Sequence, residues 1–306
     1  MSSEETHGDA HNEPCAYTRQ VSADGIPFDD FGGKGPLLHF AHANGYPPGC
    51  YRGLLSSLRQ QFRVIAIRHR PLWPESSPEE LSHWDLIAGD LLGFLKHRNE
   101  APLIGVGHSL GAVSSLLAAA RAPELFDALV LIDPVFFEPE LLEELYSDPK
   151  RSARLPLIRR TLMRRNRFAD RSEAFDHYRT KAVFARLPDD VLQDYVDSAL
   201  RPLDDGYVLA YPREWEARVY SLPPREVWDI LPTITTPTLA LRGADSDTLT
   251  PAAWQLWQQR QPAATFVELP DSGHLLPLER PEQVAQIILN WLGELRIPAL
   301  DSAARR

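Results

Sequence analysis

One stretch limits what this chain can fold into more than any other. Pro102-Leu103-Ile104-Gly105-Val106 is a short apolar run, and Ala112-Val113-Ser114-Ser115-Leu116-Leu117-Ala118-Ala119-Ala120 is rich in alanine and leucine. The first predicts a buried strand and the second a buried helix that follows it directly. Between them lies Gly107-His108-Ser109-Leu110-Gly111, a G-x-S-x-G match. A serine on so sharp a strand-to-helix turn takes strained backbone geometry, and glycines two residues to either side leave room for it. The turn pushes the hydroxyl into a cleft, where the helix N-terminus points its N–H groups at any oxyanion formed. The bare pentapeptide is a weak pattern. The strand before it and the small-residue helix after it make it a strong one. The bland alternative is a glycine-rich turn with an idle serine.

The 306 residues suit one large α/β domain, or a core domain carrying an insertion. A net charge of −10 argues against nucleic-acid binding. Cys15 and Cys50 form neither a disulfide framework nor a metal-ligand spacing, so no metal or cofactor is expected. No apolar run approaches the ~20 residues of a membrane span, and no signal-peptide pattern opens the chain. A cytoplasmic location is the expectation, with the oligomeric state left open.

Residues 1–16 carry almost no apolar side chains and predict a disordered tail. Tyr17–Val21 and Ile26–Phe31 predict a hairpin turning at Asp24-Gly25. Leu37–His42, Phe62–Ile67, Pro102–Val106 and Phe126–Ile132 then predict strands separated by helical stretches. That alternation predicts a mostly parallel sheet of about eight strands with helices on both faces. From 135 to 231 the rhythm stops and the chain becomes polar, helical and punctuated by proline. It resumes at Thr235–Gly243, with a strand over Leu239–Arg242, and at Thr265–Leu269. The expected organisation is a core from 17–134 and 232–298, a helical insertion over 135–231, and a C-terminal tail over 299–306.

A serine hydroxyl is a poor nucleophile at neutral pH and needs a base, with that base oriented by a third group. Two loops after later strands supply candidates: Gly243-Ala244-Asp245-Ser246-Asp247-Thr248 and Ser272-Gly273-His274-Leu275. Both follow strand C-terminal ends, where open parallel sheets place their ligands.

On these residues, Gly107–Gly111, Asp245–Asp247 and Ser272–His274 with Pro277–Pro281 after it, the chain resembles the α/β-hydrolase superfamily. Within it the likeness is greatest to the lid-bearing esterase, lipase and carbon–carbon-bond hydrolase group. The resemblance implies Ser109 as nucleophile, His274 as base and then acid, and an aspartate holding the imidazole. Asp247, four residues before Pro251, is the preferred aspartate. Asp245 and Asp133, the latter at the end of the strand after the serine's helix, are the alternatives. The oxyanion donors expected are the Leu110 N–H and one from His42-Ala43-Asn44-Gly45, with Asn44 preferred over Ala43. His42, Tyr46, His108, Phe136, Phe137 and Leu275 are the expected pocket residues. His69, His83, His97 and His177 read as surface or loop residues.

The resemblance also implies that 135–231 is a lid that chooses the substrate. Its segment 150–171 carries nine basic residues against Asp170 alone. Three readings compete: arginines paired with the acidic remainder of the lid, a surface for anionic lipid, or recognition of an anionic substrate group. The expected activity is hydrolysis of a small-molecule carboxylic ester. Hydrolysis of a carbon–carbon bond in a keto acid, or ligand binding by a receptor that keeps the triad, are the alternatives.

Overall fold

The computed structural model describes residues 17–98 and 100–295. The predicted tails at 1–16, which include Cys15, and at 299–306 lie outside the described residues. Eight strands form one sheet: β1 (Thr18–Val21), β2 (Pro27–Gly32), β3 (Leu37–Ala41), β4 (Arg63–Ile67), β5 (Leu103–His108), β6 (Phe126–Ile132), and two that follow the insertion. The insertion contributes a separate three-stranded sheet of β7 (Arg167–Phe168), β8 (Leu200–Leu203) and β9 (Gly206–Leu209). The main sheet then closes with β10 (Thr238–Gly243) and β11 (Thr265–Leu269), in the order β1-β2-β4-β3-β5-β6-β10-β11. β1 and β2 form the expected hairpin, and β2 runs antiparallel to β4. All pairings from β4 to β11 are parallel.

Every residue of β3 and of β5 is buried, as expected for strands covered on both faces. Alternate residues of β6 enter different cores: Ala128, Val130 and Ile132 pack on one side of the sheet, Leu129 and Leu131 on the other. Helices Arg52–Leu58 and Pro281–Glu294 cover the first side; helices Asp85–Arg98, Leu110–Arg121 and Pro251–Arg260 cover the second.

β3 pairs with β4 on one side and β5 on the other, so the winding of the sheet reverses there. The C-terminal ends of strands beside such a reversal open a crevice. The chain leaves β3, β4, β5, β6, β10 and β11 along this one edge, which brings six loops together.

Between β6 and β10 the chain leaves the sheet, as its broken rhythm predicts. Prolines open several of its helices, among them Pro139–Tyr146 and Pro156–Met163, because a residue without an N–H costs nothing at a first helical position. The insertion is not wholly helical. Leu203–Tyr207 is the tip of the β8–β9 hairpin, with Gly206 at φ +134°. Strands of two to four residues leave too little alternation to be seen in the sequence.

Candidate active site

Ser109 joins β5 to helix Leu110–Arg121 with φ 55° and ψ −116°, in the left-handed half of backbone space that side chains rarely occupy. Its N–H donates to the carbonyl of Ile132 at 2.9 Å. A Cβ on Gly107 would sit 2.4 Å from the Gly111 carbonyl oxygen, and one on Gly111 only 2.0 Å from that of Ala41. Both glycines of the motif are therefore sterically required. Strain of this kind persists only where the surroundings enforce it, and it gathers at functional sites. Asp133 is a second such residue, at φ 42°.

Ser109, His274 and Asp133 lie in one hydrogen-bonded line. His274 Nε2 is 3.1 Å from Ser109 Oγ, and His274 Nδ1 is 2.8 Å from Asp133 Oδ1. The Asp133 side chain is fully buried. Its carboxylate also accepts the Ser246 hydroxyl at 2.6 Å and the Gly243 N–H at 3.0 Å, and these bonds offset the cost of burying a charge. Ser246 has no role among the sequence-based expectations. Its oxygen also accepts the N–H groups of Thr248 and Leu249, so it ties the post-β10 loop to Asp133.

The expectation that Asp247 holds the imidazole is thereby corrected. β6 lies between β5 and β10, so the residue that ends β6 reaches His274 first. Asp247 is exposed, its carboxylate contacting the Thr248 hydroxyl at 3.4 Å. Its spacing to Pro251 reflects a helix start instead: Thr250 caps helix Pro251–Arg260 by accepting the Ala253 N–H. Asp245 pairs with Arg186 of the insertion at 2.8 Å.

Leu110 and both candidates from the loop after β3, Ala43 and Asn44, line the cavity that contains Ser109. The Leu110 N–H is at the first position of its helix, where no helix carbonyl can accept it. The Ala43 N–H donates to the Tyr51 hydroxyl at 3.2 Å, so of the two candidates Asn44 has the freer N–H. The Asn44 side chain is engaged elsewhere: Nδ2 donates to the Glu216 carbonyl at 3.2 Å, and Oδ1 accepts from the Tyr211 hydroxyl at 2.7 Å.

Of the six expected pocket residues, Tyr46, Phe137 and Leu275 line the cavity and three do not. Phe136 is fully buried against Trp228 and Trp257. His42 lies under the loop, its Nδ1–H donating to the Ala43 carbonyl and its Nε2 accepting the His69 N–H. His69, read as a surface or loop residue, is in the loop after β4 and is fully buried against His42. Burial holds the His42 ring well below the ordinary histidine range and lowers His69 to about 4.

His108 links two parts of the site. The His274 carbonyl can only accept, so His108 Nε2–H donates to it at 2.8 Å, leaving Nδ1 to accept from the Tyr51 hydroxyl at 2.8 Å. Burial, then the neighbouring His274, keeps His108 well below the ordinary range. A neutral ring thus connects the loop after β3 to the backbone of His274.

The cavity measures about 290 Å³. Its apolar wall includes Val135, Phe137, Leu157, Val183 and Val219, three of them from deep within the insertion. Among the described residues, the ionisable ones that line it besides His274 are Tyr46, Tyr146, Tyr220 and Asp247, and none is lysine or arginine. The basic segment 150–171 is largely committed elsewhere: Arg164 pairs with Glu216, Arg171 with Asp197 and Arg151 with Glu144.

His83, Asp85 and Glu226 lie close enough to suggest a metal site. The Asp85 N–H donates to His83 Nδ1 and Arg121 pairs with Asp85, which identifies the group as a helix-start network. No helix among the described residues is long and apolar enough to cross a membrane.

An open, mostly parallel sheet with a strained serine after β5 and a histidine after β11 defines a class. Residues 40–287 match the alpha/beta hydrolase family, and the chain belongs to it. It is 26% identical over 230 residues to abhydrolase domain-containing protein ACTT2 of Alternaria alternata, across 63% of this chain and 84% of that protein. It is also 26% identical over 264 residues to 2-(acetamidomethylene)succinate hydrolase of Mesorhizobium japonicum, across 85% and 89%. Among solved structures, E-2-(acetamidomethylene)succinate hydrolase shares the fold with a TM-score of 0.77 at 23% identity, over 91% of this chain and all of that one.

Proposed function

We propose that the protein is a serine hydrolase that cleaves esters of small or medium apolar acids. The observation that carries this reading is the position of the His274 ring between Ser109 Oγ and the Asp133 carboxylate. Ser109 attacks the ester carbonyl while His274 Nε2 takes its proton. Asp133 holds the Nδ1–H and stabilises the imidazolium. The N–H groups of Leu110 and Asn44 donate to the tetrahedral oxyanion. His274 then protonates the departing alcohol oxygen. Water attacks the acyl-enzyme and gives a proton to the same nitrogen, which returns it to Ser109 Oγ as the bond to the acyl carbon breaks and the acid leaves. The insertion acts as a lid over this chemistry.

The apolar wall supports an apolar acyl group, and the charges argue against an anionic one. Cleavage of a keto acid, or of a succinate like the one for which the Mesorhizobium japonicum relative is named, places a carboxylate in the cavity. Here it would meet Asp247, with no cation among the described lining residues to pair it. Turnover of p-nitrophenyl butyrate and of p-nitrophenyl hydrogen glutarate tests this. The neutral ester is expected to have a kcat/KM about tenfold or more above that of the anionic one, the size of an unpaired charge brought near another in a partly dry site. A preference for the anionic ester, or no turnover of either, overturns the reading.

A further inference from the structure

The side chain of Asn44 is held wholly by the insertion. Tyr211 donates its hydroxyl to Asn44 Oδ1 at 2.7 Å, and Asn44 Nδ2 donates to the Glu216 carbonyl at 3.2 Å. These partners lie 167 and 172 residues further along the chain. The next residue, Gly45, turns at φ +82°, and a Cβ there would stand 3.3 Å from the Glu216 carboxyl carbon. Glu216 is itself anchored by Arg164 at 2.7 Å, and Tyr211 and Glu216 are both buried. Every polar atom of the amide is thus tied to residues outside the sheet.

A hydrogen-bond donor stabilises an oxyanion only if it sits about 3 Å from where the charge develops. The Asn44 N–H is carried by a short loop with a glycine next to it, so β3 alone does not settle its aim. We infer that Tyr211 and Glu216 are positioning residues that set the oxyanion donor through the Asn44 side chain. The segment that lines the acyl cavity thereby also completes the machinery that stabilises the transition state. This inference rests on the acyl-transfer reading above.

Tyr211→Phe removes one oxygen and keeps the ring. With rates normalised to active sites titrated by a fluorophosphonate, its kcat on p-nitrophenyl butyrate is expected to fall about 10- to 100-fold, less than or comparable to deleting a donor outright. KM should change less than about twofold, because the ground-state ester makes little use of the oxyanion donor. Affinity for butylboronic acid, which forms a tetrahedral adduct on the serine, should fall in parallel with kcat. Asn44→Ala keeps the backbone donor but loses the clamp, and should show the same loss. Adding Tyr211→Phe to Asn44→Ala should then cost nothing further. If the two losses multiply, or only KM moves, or boronate affinity is unchanged, the inference fails. Absence of ester turnover by the wild-type protein would instead strike the acyl-transfer reading.

Discussion

Asp133→Asn is expected to lower kcat on a neutral ester about 10³- to 10⁴-fold, or about 4–5 kcal/mol in the barrier. The amide can take up the same space, but its oxygen and NH₂ no longer present a negative charge to the imidazolium. The substituted side chain would also have to choose which end faces the ring. The Gly243 N–H can only donate and bonds Oδ2, so it favours the amide oxygen there and leaves the NH₂ at the Oδ1 position, facing His274 and the Ser246 hydroxyl. The ring would then be held in the wrong tautomer. Asp247→Asn should cost less than about threefold on the same ester, since an exposed charge in water acts weakly on a neutral substrate. Steady-state kinetics of the two variants side by side check this. Equal losses would mean that the carboxylate at the end of β6 is not the one that matters.

Gly111→Ala is the second large effect. The added methyl would lie 2.0 Å from the Ala41 carbonyl oxygen and 2.3 Å from its carbon, both backbone atoms of a buried central strand. No side-chain rotation relieves such a contact. Either helix Leu110–Arg121 lifts from β3, or the chain does not fold. Overpacking a core with one carbon typically costs about 1–3 kcal/mol, and a clash between backbones belongs at or above the top of that range. Urea unfolding should show a loss of about 3 kcal/mol or more, with activity lost as the serine moves off the imidazole. Native stability together with full activity would contradict the close approach.

What is legible in the sequence is what local pattern controls. Glycines on both sides of Ser109, a β-rich run before it and small residues after it specify a turn that few other folds use. The alternation of strands and helices specifies a mostly parallel sheet covered on both faces, but not the order of its strands. The aspartate is not legible in the same way. Asp133 and Asp247 both follow strands, and which one meets His274 depends on β6 lying between β5 and β10, a fact of sheet order. Ser246 is hidden by the two acidic residues around it, although it is the one that turns inward. His69 lies in a loop as read but is buried there, and Phe136, read as a pocket residue, is buried in the core instead. In each, a neighbour distant in sequence, His42 or Trp257, covers the side chain. The clamp on Asn44 joins residues some 170 positions apart and leaves no local signature.

The proposed chemistry rests on an activated hydroxyl at residue 109, and covalent trapping reads it most directly. Incubation with a fluorophosphonate followed by peptide mass mapping should place a single adduct on Ser109. The adduct should be absent in Ser109→Ala and form far more slowly in Asp133→Asn. An adduct on another residue, or labelling of Ser109→Ala as fast as the wild type, would contradict a nucleophilic Ser109.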